Sequence, residues 1–216
     1  MIEERVYNLG EIENIIKTTG KQATERKLRS WGIDYKCNGR GKSVVFDIRK
    51  IPVEVKFKVF CITELGVDSR IDFDKLRTFY YYYFGDKYFR DTTDTARAEL
   101  MKVDGYQITP QTIANYIKHL EKINFVSMVD YNYYSCTSGN LPKEISYEDY
   151  EKAWKQYHVD KIEKGQDVAY QIMINELGGK PVRVKKRAEN AFVQDVITEL
   201  VDIIADDMER IYGKKE

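Results

Sequence analysis

Cysteine, histidine, proline and net charge are all scarce in this chain. Three cysteines (Cys37, Cys61, Cys136) are odd in number and far apart in 216 residues. They argue against a disulfide frame or a zinc site and for reduced thiols in a cytoplasm. The two histidines, His119 and His158, have no ligand partners at metal spacing, so no metal or other cofactor is expected. No apolar run approaches membrane-spanning length, and the opening MIEERVYNLG lacks the apolar core of a signal peptide. A cytoplasmic protein without membrane contact is the expectation. Lys and Arg number 35 and so do Asp and Glu, which excludes a histone-like coat for nucleic acid. What remains, 43% apolar and 32% charged, describes a globular chain long enough for one large domain or two small ones.

The zero balance is not uniform. From Lys17 to Lys50 there are ten Lys or Arg against three acids, a local excess of about seven positive charges. The same stretch, Gln22 to Ile48, reads as a short helix, a stop, and a hairpin with a basic tip. On a helix of 3.6 residues per turn Leu28 and Trp31 fall inward, while Gln22, Arg26 and Arg29 fall on the opposite face. Gly32 is a natural stop. Two alternating runs follow, Ile33/Tyr35/Cys37 and Val44/Phe46/Ile48, with a turn at Asn38–Gly41. A helix presenting an amide and guanidinium groups, beside a hairpin tip with Arg40 and Lys42, suits base edges and phosphates respectively. Lys21 and Lys27 add cations to that helix, and the plain alternative is a solvated helix beside an ordinary hairpin.

Before this stretch, Val6–Asn8 reads as a short strand and Leu9 to Thr18 as an amphipathic helix with Leu9, Ile12, Ile15 and Ile16 on one side. With VYNLGEI opening the first helix, then TG, then LRSW closing the second, these residues resemble the compact helix-turn-helix of the MerR and excisionase-like families. The resemblance covers roughly 45 residues and implies a winged helix that binds double-stranded DNA.

Ile51 to Gly66 begins with period two and ends with helical spacing, so a strand or extended linker passing into a buried helix is expected. A second helix-turn-helix follows. Asp72 to Phe84 is helical up to Gly85, and Asp91 to Met101 forms another helix. In ITPQTIANYIKHLEKINFV, Thr109 caps a helix, Pro110 occupies its first turn, and Ile113, Ile117 and Leu120 make the inner stripe. Gln111, Asn115 and Lys118 project outward. Phe125 to Cys136 supplies strand material. This order resembles winged-helix domains of phage and plasmid regulators and replication initiators. Between Gln107 and Ile145, however, three lysines face three acids. Phosphate affinity there is expected to be poor, and this half binds DNA or a protein partner. The tyrosine run Tyr80–Tyr83 is read as core packing, because consecutive helical residues diverge and cannot form one stacking platform.

The last third reads as helical. Ser146 and Asp149 form a cap before Tyr150, Trp154 and Tyr157, and a further helix from Gln166 ends at Gly178-Gly179. The cationic run KPVRVKKR reads as an exposed loop. Ala188 to Tyr212 is a long helix whose Phe192, Val196, Leu200, Ile203 and Ile204 pack on the body or on a second copy, making a homodimer possible in principle.

Enzymatic patterns are few. Gly41-Lys42-Ser43 ends like a phosphate-binding loop, but Lys36 stands where its first glycine belongs. Asp47 with Glu54-Val55-Lys56 is similar to the Mg²⁺-binding acid and Glu-x-Lys of restriction-type nucleases, if two adjacent strands hold them. The plain reading is surface charge, and no catalysis is expected.

The expected architecture is α+β and mostly helical: a winged helix-turn-helix over 1–52, a second winged-helix-like domain over 53–142, and a C-terminal helical region over 143–216. The expected function is sequence-specific DNA binding, as a transcriptional regulator of a phage or mobile element. Two alternatives stay open: a replication initiator, or a phage interaction protein that inhibits a host defence complex in the manner of anti-CRISPR proteins.

Overall fold

A computed structural model describes residues 2–138 and 140–212. At its start, the Asn8 side chain accepts the Glu11 N–H (2.9 Å) while the Glu11 carboxylate accepts the Asn8 N–H (2.8 Å). That reciprocal cap separates strand β1 (Val6–Asn8) from helix α1 (Leu9–Ile16). Helix α1 stops short of Thr18 because Lys17 turns left-handed at φ 53°. Helix α2 (Lys21–Ser30) ends as expected at Gly32, whose φ is +69°. Gly32 N–H donates to the Arg29 carbonyl (2.9 Å) and Ile33 N–H to the Leu28 carbonyl (3.1 Å), so the helix closes in a Schellman motif. Strands β2 (Asp34–Asn38) and β3 (Val45–Lys50) follow, and β1 pairs with the other edge of β3, giving the antiparallel order β1-β3-β2. Tyr7, Ile12, Ile16, Leu28, Trp31, Val44, Phe46 and Ile48 form the buried core beneath this sheet. Each such side chain contributes roughly 1.5–3 kcal/mol by leaving water.

The extended lead expected after Ile51 is replaced by helix α3 (Val53–Thr63), with Pro52 in the cap position. Val53 and Val55 alternate by accident. The residues it buries are Phe57, Val59, Phe60, Cys61 and Ile62, a helical set.

Helices α4 (Phe73–Gly85), α5 (Lys87–Asp91), α6 (Asp94–Val103) and α7 (Pro110–Lys122) come next. Within the tyrosine run Tyr80 and Tyr83 are fully buried while Tyr81 is 47% exposed, so the rings diverge as their helical spacing requires. Arg97 is a buried lock at the α5–α6 corner. It donates to the Phe89 carbonyl (2.6 Å), to the Arg90 carbonyl and to Asp94 (2.5 Å). Strand β4 (Val126–Cys136) then starts the second sheet, β5 (Lys143–Ile145) adds one edge, and helices α8 (Tyr147–Lys164) and α9 (Gln166–Leu177) form an antiparallel pair. The run expected as an exposed loop, KPVRVKKR, is instead strand β6 (Lys180–Glu189). It pairs antiparallel with β4 from Val126↔Glu189 to Cys136↔Lys180, giving the order β5-β4-β6. Helix α10 (Gln194–Tyr212) closes the described chain.

The chain is therefore α+β, about 59% helical, with two three-stranded antiparallel sheets. No helix of the described residues is long and apolar enough to cross a membrane. Its contacts divide it into two compact units, Met1–Arg77 with Asp195–Glu216, and Thr78–Gln194. These bounds differ from the three segments expected, since 143–216 contains two strands and α10 belongs to the first unit.

In that unit Leu200 and Ile204 of α10 are buried, at 0% and 1% exposure. Of the face expected to seek the body or a second copy, Leu200 and Ile204 are thus covered within the chain. Phe192 instead lies on the 3₁₀ turn Ala191–Val193, ahead of a helix that begins at Gln194 and not at Ala188, and is 75% exposed. Near its end Asp207, 1% exposed, accepts from Arg77 of α4 (3.2 Å) and from Arg210 (3.1 Å). Arg77 also reaches the exposed Asp74 (2.8 Å). Removing one member of such a buried pair strands the other. Asp207→Ala is expected to lower unfolding stability by about 3 kcal/mol, the low end for a broken buried pair because Asp74 remains. Urea titration checks this, and a loss within about 0.5 kcal/mol of zero would show the pair to be dispensable.

Candidate nucleic-acid interface

Helix α2 and the β2–β3 hairpin carry the cationic residues singled out in the sequence, and the structure sorts them into different roles. Gln22 and Arg26 are exposed, and neither side chain has a hydrogen-bond or ion-pair partner among the described residues. Arg29 is exposed too, but tethered: it donates to the Tyr35 hydroxyl (3.0 Å) and to Glu25 (3.2 Å). Lys21 stands 3.9 Å from the same Glu25, so this one acid is flanked by two cations a turn away on either side.

Lys27 does something else. Its ammonium donates to the Ile16 carbonyl at the end of α1 (2.6 Å) and lies 5.2 Å from the centre of the Trp31 ring. Partial burial pushes its pKa below the ordinary lysine value. Lys27 therefore ties α1 to α2, satisfying a helix-terminal carbonyl that has no partner in its own helix. The sequence counted it as one more surface cation because charge alone carries no sign of direction.

At the hairpin tip the strand runs through Asn38, one residue further than expected. The turn is made by Gly39 and Arg40, followed by a short 3₁₀ turn over Gly41–Ser43. Ser43 Oγ donates to the Arg40 carbonyl (2.8 Å), closing the loop on itself. Arg40 and Lys42 are both exposed at this tip and have no carboxylate partner among the described residues.

The nuclease-like set does not assemble. Asp47 on β3 is engaged by Arg49 (3.4 Å), and Glu54 and Lys56 lie on the first turns of α3 rather than on a neighbouring strand. Among the described residues no three His, Cys, Asp or Glu side chains group as metal ligands do.

In the second unit α7 presents the expected face. Thr109 accepts the Thr112 N–H (3.2 Å), Pro110 sits in the first turn, and Ile113, Tyr116, Ile117 and Leu120 are buried. Gln111 donates to Asn115 (3.1 Å), so these two side chains hold each other, and Lys118 is exposed. Sequence reasoning missed the strand beside them. Residues 180–187 read locally as a loop, yet their cations belong to this half of the chain. The signal available was the alternation of Val182 and Val184 with Arg183 and Lys185 between Gly179 and Asn190.

Comparison of the chain with protein-family models, with curated proteins and with solved structures found no match.

Two glycines of the hairpin tip give a sharp contrast. A Cβ on Gly39 would sit 2.1 Å from the Ser43 carbonyl oxygen at φ +88°, whereas a Cβ on Gly41 meets nothing within 4 Å at φ +55°. Gly41→Ala carries only the left-handed penalty of about 1–2 kcal/mol. Gly39→Ala is expected to exceed it, at roughly 3 kcal/mol or by reshaping the loop. Thermal melting of both variants, with equal losses as the contrary result, decides the matter.

Proposed function

We propose that this chain is a sequence-reading, double-stranded DNA-binding protein that acts as a transcriptional regulator of a phage or other mobile element. Strand order β1-β3-β2, with α1 and α2 between β1 and β2, supports a winged-helix reading of this unit. The observation that carries the reading is the state of α2: Gln22 and Arg26 stand exposed and unpaired on its outer face. Neighbouring Lys27, Thr24 and Leu28 are turned to the fold. An unpaired guanidinium on a helix is free to make the bidentate contact with guanine that discriminates bases by about 1–3 kcal/mol. Arg29, Arg40 and Lys42 supply phosphate contacts around it.

A second reading has its own observation. Where α8 meets α9, Val159, Ile162 and Val168 are 51%, 87% and 52% exposed. Such a tip suits a protein partner, as an inhibitor of a host defence complex would need.

Duplex binding across a salt series tests the first reading. Arg26→Ala is expected to abolish preference for a selected operator over random duplex. Arg40→Ala with Lys42→Ala is expected to weaken binding to every sequence and flatten the salt slope by about 1.8, two phosphate contacts at roughly 0.9 each. Gln111→Ala with Asn115→Ala should leave operator preference within about threefold, under 1 kcal/mol. If the wild-type protein binds no duplex at low salt, the DNA reading fails and the protein-partner reading takes its place.

A further inference from the structure

The free cations of the molecule are not confined to its first unit. Strand β6 carries Lys180, Arg183, Lys185, Lys186 and Arg187 against Glu189 alone. Glu189 is engaged by Arg90 (3.0 Å) and Arg187 by Glu121 (2.7 Å). The other four cations have no carboxylate partner among the described residues.

Two of the four, Arg183 and Lys185, line a groove of about 450 Å³ together with Thr93 at the start of α6 and Gln111 at the start of α7. Asp94 supplies the groove's one carboxylate, and it is neutralised by Arg97 at 2.5 Å. Arg183 is positioned rather than loose: its guanidinium lies over the Tyr131 ring, 4.3 Å from the centre. That stacking leaves the N–H edge available to an acceptor. Gln111 gives one N–H to Asn115 and keeps the other.

Strand β6 is also an edge of its sheet, and edge strands commonly carry charge to prevent pairing with another chain. Protection of an edge asks only for charge along the strand and does not require a concave surface, however. Here every uncompensated charge on the strand is positive, and two of the residues that carry them line a concave surface. We propose that this groove is a second phosphate-binding surface and that its ligand is the sugar–phosphate backbone of duplex DNA. The inference rests on the DNA-binding reading and extends it to a part of the chain that the sequence had marked as too poor in cations. Two phosphate-binding surfaces on one chain raise affinity without a new base contact, because binding at one raises the effective concentration of DNA at the other.

The test uses the full chain and a random-sequence duplex, with binding followed by fluorescence anisotropy between about 50 and 200 mM salt. Arg183→Ala with Lys185→Ala is expected to reduce the salt slope by about 1.8. The affinity lost across that salt range then shrinks by about twelvefold. Operator preference stays unchanged, since phosphates carry no sequence information. Arg183→Lys with Lys185→Arg keeps both charges and should restore the slope. If the alanine pair melts early, Arg183→Gln with Lys185→Gln keeps the side-chain stems and should give the same reduction. An unchanged slope in the charge-removed variants, while Arg40→Ala with Lys42→Ala still lowers it, would overturn the groove and leave the first unit's role standing. The opposite pattern would support the groove and remove the hairpin tip from the interface. A wild-type protein without salt-dependent duplex binding would overturn both.

Discussion

Ten antiparallel residue pairs between Val126–Cys136 and Lys180–Glu189 hold together parts of the chain separated by residues 137–179. Much of the second unit is arranged around that ladder. It makes β4 the central strand, with β5 on its other edge, and it sets β6 beside the helices α5 and α9. The intervening helices α8 and α9 pack on each other and back onto the strands, with the Tyr133 ring 4.7 Å from Tyr150 and 5.4 Å from Tyr147. Closing so long a loop costs little more entropy than closing a short one, because the penalty grows only with the logarithm of length. An insertion here is therefore tolerable so long as the ladder survives. Gly179 shows how tight the closure is: a Cβ there would lie 2.6 Å from Ser135 Oγ.

The first unit solves a similar problem over a shorter span. β1 precedes both helices and β3 follows them, yet Tyr7 stands opposite Phe46 and both are fully buried. With the sheet closed, α2 is held from both ends. Lys27 and the Thr18–Thr24 hydroxyl pair (2.9 Å) fasten its inner side, and the Gly32 turn fixes its exit into β2. A side chain on the outer face of α2 thus stands on a rigid platform, with its own rotamers the main freedom left to restrain.

Local chemistry made much of this visible in the sequence. The Thr109-Pro110 start of α7, the Gly32 stop, and the buried stripes Leu28/Trp31 and Ile113/Ile117/Leu120 all depend on neighbours within a turn or two, and all are present as expected. Three features were out of reach for one reason: what defines them is distant in the chain. Val53 and Val55 alternate as strand residues do, and only packing from elsewhere makes the segment helical. Charges over 180–187 read as loop until β4 supplies the backbone partners. Lys27 reads as surface until the Ile16 carbonyl claims its ammonium. The outward face of α2 was anticipated residue by residue at Gln22, Arg26 and Arg29, whereas β6 and its cations had no local marker stronger than two valines.

Helix α10 belongs to the first unit although residues 78–194 separate it from the rest of that unit. On a ribosome adding roughly 5–20 residues per second, the intervening stretch takes about 6–23 s to emerge. Throughout that interval Arg77 has no Asp207 to meet. The intervening unit holds its own ladder and core and can fold during the wait. Residues 1–77 thus gain the last element of their unit only after residues 78–194 have been made, so that unit is completed later than the stretch inserted into it.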